Sequence, residues 1–416
     1  MGSGYILLLA AYVVSIVGDW SFKIAIPVIV MELTGSPLLM SVAFACSFAP
    51  YIVMMPLGGV VADLFRRQRI LYLGDFAAAA LCTLICAYLA LGGTNVYVLF
   101  PALFGLGIVS SVYHPAFQSF IPNVVAREAL PRANATFATS DNLLNLLGPA
   151  ISGGLVAAFR PDWIIWFNAA SFLVSGLAIL AIRAQVPEVA RQVRVSVAGI
   201  GRDLADGFRI AWSEPIIKWG TILFIGENFA TNAILGNEIY FLTEVLGLSV
   251  SQAGLVIGAS AAGAVAGSLV APALMARFAP GRLMLSCLFV IAGGTAVMLL
   301  AQNLGIAAVV LGRGLLMGAR AVIIVTMFTY RQRVIPQAYL GRTVAITRTI
   351  SYVPVPVSAV VGGYVLAQTG GNMQAVLLMS VGTLLACALL GLLTPFARAQ
   401  QPGDLPSAPL EESHAR

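Results

Sequence analysis

Asp19, Lys23, Asp141, Glu227, Glu238, Arg313, Arg320 and Arg348 stand inside stretches that are otherwise almost wholly apolar. Asp19 and Lys23 are four residues apart, one helical turn on the same face, so they can neutralise each other or handle a proton or solute directly. Glu227, Thr231 and Glu238 recur at spacings of four and seven, with Asn228 and Asn232 on the adjoining strip. Such a stripe suits a cation, a polar solute or a proton. Glu227 lies deep in its run, whereas Glu238 stands near an end, where it can be simply solvated. Arg313 and Arg320, seven apart, and Arg348 offer either ion pairs to Glu227, Asp19 or Asp141, or a site for an anionic group such as a carboxylate or catecholate. Asp141, Asn145, Gly148 and Ser152 follow one another at four, three and four along a small polar stripe that faces protein rather than lipid. A carboxyl taken out of water favours its protonated form, which makes Glu227 and then Asp141 the first candidates for loading and releasing protons. His114 reads as a buried or interfacial histidine or as a proton relay.

Catalytic chemistry has no comparable basis. No Walker-type phosphate cradle, HExxH or serine elbow occurs, so the chain reads as no enzyme, with no cofactor and no metal. The five cysteines are odd in number, lie in apolar runs and lack metal-ligand spacing, as small buried apolar side chains do.

The elements that hold these residues follow from composition. Of 416 residues, 59% are hydrophobic and 10% charged, against roughly 25% charged in a soluble domain. The chain therefore reads as an all-α membrane protein of about twelve transmembrane helices: roughly 5–31, 38–61, 70–92, 95–118, 133–158, 162–184, 216–243, 250–276, 283–302, 305–329, 343–367 and 373–397. The first is read as a retained span, because no basic segment precedes it. Arg66, Arg67, Arg69, Arg127, Arg132 and most other basic residues fall in loops on one side of the bilayer, against Arg160 in the loops opposite. Short basic loops stay in the cytoplasm, which places both termini there. The net charge of +6 is thus a topology signal and no nucleic-acid footprint.

Four segments result: a first six-helix half (1–184), a cytoplasmic linker (185–215), a second six-helix half (216–397) and a disordered tail (398–416). In the linker, Leu204, Phe208, Ala211 and Trp212 share one helical side, as in an interfacial helix on the inner leaflet; a plain linker is the alternative. The halves also resemble each other. "REALPRANATF" and "LLGPAISGGLV" correspond to "QAYLGRTVAIT" and "VPVSAVVGGYV", so that Arg132 matches Arg342, and Gly153 and Gly154 match Gly362 and Gly363. Two related halves imply a pseudo-twofold along the membrane normal, with a site between them.

"GGVVADLFRRQRIL" (Gly58 to Leu71) resembles the loop between the second and third helices of major facilitator superfamily transporters, with Gly59, Asp63 and Arg67 on the pattern and Leu64 and Arg66 off it. "LLGPAISGG" resembles the fifth-helix motif of the superfamily's antiporters, in which Gly148, Gly153 and Gly154 permit close helix approach and Pro149 permits a bend. With "GDWSFKIAIPVIVMELTGSP", "HPAFQSFIPNVVAREALPRANA" and "DLADGFRIAWSEP", the chain is similar to the branch of bacterial macrolide efflux pumps and the enterobactin exporter. The resemblance implies the major facilitator fold, in which the first, fourth, seventh and tenth helices line the substrate cavity. It also gives Asp63 the role of a latch between the halves, pairing with a loop arginine being the alternative. Many proton-coupled members keep an arginine in the fourth helix where "VLFPALFGLG" has Pro101, so proton coupling here rests on other acids. The implied function is export of a small amphipathic molecule, antibiotic or siderophore-like, in exchange for protons, by a monomer in the bacterial inner membrane. Uptake of a nutrient or lysophospholipid is the rival, and a non-transporting receptor or scaffold the third possibility.

Overall fold

The computed structural model describes residues 3–126, 129–159, 161–182 and 197–398. The expected tail from residue 399 onward and the first part of the linker lie outside the described residues. The first half comprises α1 (Ser3–Thr34), α2 (Pro37–Leu64), α3 (Arg67–Ala90), α4 (Leu99–Phe120), α5 (Leu130–Ala158) and α6 (Pro161–Ala181). After the linker helix α7 (Val197–Ser213) come α8 (Pro215–Leu235), the short α9 (Glu238–Tyr240), α10 (Val250–Arg277), α11 (Pro280–Leu299), α12 (Ala301–Leu304) and α13 (Ile306–Val334). The last three are α14 (Gln337–Tyr352), α15 (Pro354–Gln368) and α16 (Met373–Leu393).

Nine helices among the described residues are long and apolar enough to cross a membrane, and shorter apolar runs occupy Pro37–Ile52 in α2 and Leu146–Val156 in α5. Together with α8, whose acid and amides interrupt its apolar run, they are consistent with about twelve spans. No strand occurs among the described residues. Two expected spans are interrupted. The seventh stops at Gly236 and resumes at Glu238 before a π-helical stretch, Phe241–Val245. The eleventh is divided between α14 and α15 before Pro354, which has no N–H to continue the ladder.

Packing inside the bundle repeats. α1 packs on α5 and α6, α2 on α4, and α3 on α4 and α6; in the second half α8 packs on α15 and α16, α10 on α13, and α11 on α13 and α16. Each first-half pair thus has its counterpart, and the two most extensive contacts between the halves among the described residues, α5 on α10 and α2 on α15, exchange under the same correspondence. This is the two-fold relation read from the repeated sequence.

The distribution of polarity suits lipid. Leu84, Leu173, Leu177 and Leu269 point outward, while Ser21, Ser152, Asn168, Thr221, Ser260, Thr295 and Ser380 are buried. Helices in a bilayer gain little from hiding leucine from hydrocarbon, so their contacts use small and hydroxyl-bearing residues instead. Many of the hydroxyls donate to the carbonyl one turn back, as Thr221 does to Ile217 at 2.7 Å.

The linker helix α7 lies against α14: Ala211 is buried, Phe208 stacks on Trp212 at 4.2 Å, and a Cβ on Gly207 would stand 2.7 Å from the Arg342 carbonyl. Phe208 nevertheless stays exposed. Glu214, between α7 and α8, is held above the ordinary carboxylate range by burial, an effect partly offset by a hydrogen bond from the Tyr330 hydroxyl.

Candidate functional site

The acids of α8 and α9 meet the arginines of α13. Glu227, 1% exposed, accepts on Oε1 from the Thr231 hydroxyl at 3.0 Å, and the same oxygen forms an ion pair with Arg320 Nη1 at 3.4 Å. Its Oε2 is buried without a hydrogen-bond partner, and the residue borders an apolar hollow with Leu223, Phe224, Met284, Leu288 and Phe396. Arg320 also donates through Nη2 to Asn228 Oδ1 at 2.7 Å, while Asn228 and Asn232 each donate to the backbone one turn back. One guanidinium therefore bridges the acid and the amide.

Glu238 is buried and not solvated. It forms a two-point pair with Arg313, one contact being Nη2 to Oε2 at 3.1 Å, and Arg313 Nη1 is further held by the Ile257 carbonyl at 3.0 Å and Ser260 Oγ at 2.7 Å. The break before Glu238 sets up this geometry. Asn237 donates to the Ala233 and Ala359 carbonyls and accepts from Ser41 Oγ at 2.6 Å, fixing the chain where α8 ends. Arg348 has no acid beside it among the described residues; it is exposed and lies over the Tyr352 ring at 5.9 Å.

In the first half, the Tyr12 hydroxyl donates to Asp141 Oδ1 at 2.5 Å, joining α1 to α5. Lys23 is within electrostatic reach of Asp19, as expected, without a close ion pair between them among the described residues, and the exposed Lys23 ammonium lies 4.9 Å from the Trp20 ring centre. Four residues bring two side chains to one face of a helix. The aromatic ring beside Lys23 decides which way its long stem turns.

The glycine motif divides. Gly148 faces Trp20 of α1, and Gly153 sits against α10, where an added Cβ would come within 2.8 Å of Gly254 Cα and 2.9 Å of the Val250 carbonyl. Gly154 faces open space. Pro149 lies inside a continuous α5. Ser152 accepts from Ser21 at 3.1 Å. Arg67 donates to the Ser119 carbonyl at 2.9 Å, tying the loop to α4. The backbone of Gly59 and Asp63 belongs to α2, but their side chains lie outside the described residues, as do those of Asn145 and His114.

Three residues escaped the sequence reading. Asp75, in α3, is 1% exposed and accepts from Ser175 and Tyr113. It is the sole acid in "YLGDFAAAA", a signal that was available. Arg331, counted with the basic rim, is buried, with Nε unpartnered. Asn237 gave no signal, because its partners come from two distant helices.

The sequence model of the Major Facilitator Superfamily matches residues 8–359 and 228–415. The chain is 28% identical to the multidrug efflux pump Tap of Mycobacterium tuberculosis over 51% of this chain and 52% of that one. It is 23% identical to macrolide efflux protein A of Streptococcus pyogenes over 48% and 49%. The chain thus spans about half the length of these curated relatives. Against Tap of Mycolicibacterium fortuitum the match is 25% over 97% of this chain and 98% of the other. The solved nucleoside transporter NupG shares the fold, at TM-score 0.73 and 13% identity over 94% of this chain and 99% of that one. Paired helix bundles, acids and arginines inside apolar helices, and a family match running nearly from end to end agree: this multi-pass membrane protein belongs to the Major Facilitator Superfamily.

Proposed function

We propose that the protein exports a small amphipathic molecule by alternating access of its two halves, residues 1–184 and 216–397, in exchange for protons carried first by Glu227 and second by Asp141. It works as a monomer in the bacterial plasma membrane, with both termini and the 185–215 linker in the cytoplasm. Efflux pumps among the relatives support the direction of transport.

The observation that carries the coupling is the divided environment of Glu227. Oε1 meets Thr231 and Arg320, whereas Oε2 is buried with nothing to bond it, in a residue that borders an apolar hollow. A proton placed on Oε2 removes the charge that holds Arg320, and Asn228 is already in position to keep the guanidinium. Loading and unloading the acid thereby changes which partner on α8 holds α13, a local switch with two discrete states.

The test is accumulation of erythromycin in inverted vesicles under an imposed pH gradient, beside its binding without a gradient. Glu227→Gln keeps shape but cannot titrate, so binding survives and gradient-driven accumulation falls at least about tenfold, a change worth about 1.4 kcal/mol. Asp141→Asn lowers it less. Full accumulation in both variants overturns the assignment; accumulation in right-side-out vesicles instead identifies an importer, and movement in neither orientation a receptor or scaffold.

A further inference from the structure

Asp75 lies where α3 meets α4 and α6, away from the acids and arginines of α8, α9 and α13. Its carboxyl is 1% exposed, and Oδ2 accepts from Ser175 Oγ of α6 at 2.7 Å and from the Tyr113 hydroxyl of α4 at 3.4 Å. The helices are close: a Cβ on Gly176 would stand 3.1 Å from Asp75 Cβ and 2.9 Å from Phe76 Cδ1.

The groups around it are not cationic. Tyr113 faces it from α4 and Ser175 from α6, and Asp19 of α1, itself an acid, is within electrostatic reach. On α3 itself Cys82 is bonded by Asn168. The side chains of residues 55–64 of α2 lie outside the described residues. Among the described residues no Lys or Arg pairs with Asp75, whereas Glu227 and Glu238 each hold a guanidinium.

That contrast has a chemical consequence. An ionised carboxyl without a cation in a membrane interior is costly, on the order of 2.5–3.5 kcal/mol on insertion scales, so burial favours the neutral acid. Two hydroxyl donors favour the anion. Hydroxyls also reverse: a protonated carboxyl can donate to Ser175 or Tyr113, whose oxygens accept as readily as they donate. An arginine cannot do this. Glu238, held by Arg313 at both carboxylate oxygens, is fixed by a partner that suits one charge state, while Asp75 is surrounded by partners that suit both.

We propose that Asp75, with Tyr113 and Ser175, forms a second proton-binding site, located in the first half and separate from Glu227. The site takes up one proton from water when the contact of α3 with α4 and α6 loosens, and releases it to water on reopening, carboxylate and proton giving carboxylic acid with no other reactant. It stands whether or not Glu227 is the coupling acid.

The experiment counts protons bound by the full chain in lipid nanodiscs, with a pH-indicator dye and no substrate, from about pH 5 to pH 9. The unaltered protein binds about one proton per chain more than Asp75→Asn. Tyr113→Phe and Ser175→Ala retain that proton and displace its midpoint, a readout that a purely structural acid does not give. Glu227→Gln leaves the Asp75 step in place, so failure of the coupling assignment in vesicles and failure of this site are separable. Equal proton counts in Asp75→Asn and the unaltered chain overturn the site. Should Asp75→Asn not fold, unmoved midpoints in both Tyr113→Phe and Ser175→Ala overturn it equally.

Discussion

Removing one member of the Arg313–Glu238 pair strands the other, because both side chains are about nine-tenths buried. Breaking a buried pair from one side costs about 3–5 kcal/mol, whereas replacing both members by apolar groups of similar size is close to neutral. Arg313→Ala should therefore sharply lower the amount of folded protein in the membrane. Arg313→Met combined with Glu238→Leu should recover most of it, with Ser260 left as the polar remnant. Thermal inactivation of the purified variants checks this; a double variant no better than Arg313→Ala would mean that the pair does more than neutralise itself. At this scale the sequence was informative about which residues matter and much less about whom they meet. Spacings of four and seven put Glu227, Thr231 and Glu238 on one stripe, and the charges inside apolar runs marked acids and arginines as residues that need partners. Of the partners expected for the arginines, Glu227, Asp19 and Asp141, Arg320 takes Glu227, whereas Arg313 takes Glu238, which was not among them; that choice depends on the rotation of α13 against α8 and on the break at Gly236. Nor could the spacings foresee that the Lys23 ammonium would also lie over the Trp20 ring.

Helix lengths were legible because a bilayer demands about 20 apolar residues and tolerates few charges. Helix interruptions were less so. Pro354 was visible in the sequence, but proline is common within membrane helices and breaks one only where neighbours satisfy the freed groups. The break at Gly236 and Asn237 is held by side-chain bonds to Ala359 and Ser41, which no local pattern announces. Glycines show the same division. Gly148 and Gly153 are used for close approach, as the motif suggested, while Gly154 faces nothing within 4 Å. The element-scale prediction follows from the contact of α5 with α10. Gly153→Ala places a methyl against the Gly254 backbone, which has no side chain to move aside, and overpacking of this kind costs about 1–3 kcal/mol. Gly154→Ala has room. Gly153→Ala should slow the proposed export and lower resistance to heating, and Gly154→Ala should change neither; equal behaviour of the two variants would show that the α5–α10 approach is not limiting.

Across the whole molecule, the repeated sequence and the repeated packing describe one symmetry. Gly153 faces Val250 and Gly254, in the first two turns of α10; at the contact of α15 with α2, Gly363 faces Leu38 and Ser41, in the first two turns of α2. Both contacts lie at the ends of the helices that the basic-loop count assigns to the outside, and a hydrogen bond from Ser41 to Asn237 at 2.6 Å joins the halves there. The halves are therefore closed against each other at that end. Under the alternating access proposed above, these contacts part once in every cycle, because a solute leaving by this end passes between α2, α15 and the α8–α9 break. A disulfide across the seam tests this. In a chain whose five native cysteines are replaced by serine or alanine, Ser41→Cys with Asn237→Cys should cross-link under mild oxidation, since the two side chains already touch. Oxidation should then abolish the proposed export while leaving the protein folded, and dithiothreitol should restore it; each single-cysteine variant should be indifferent to oxidant. Binding from the cytoplasmic side should persist in the oxidised protein, because the opposite ends of the halves are untouched by the link. Export that continues at full rate with the cross-link formed would show that the solute does not pass between the halves at this end, and would remove alternating access by separation of α2 from α8 and α15 as the transport mechanism.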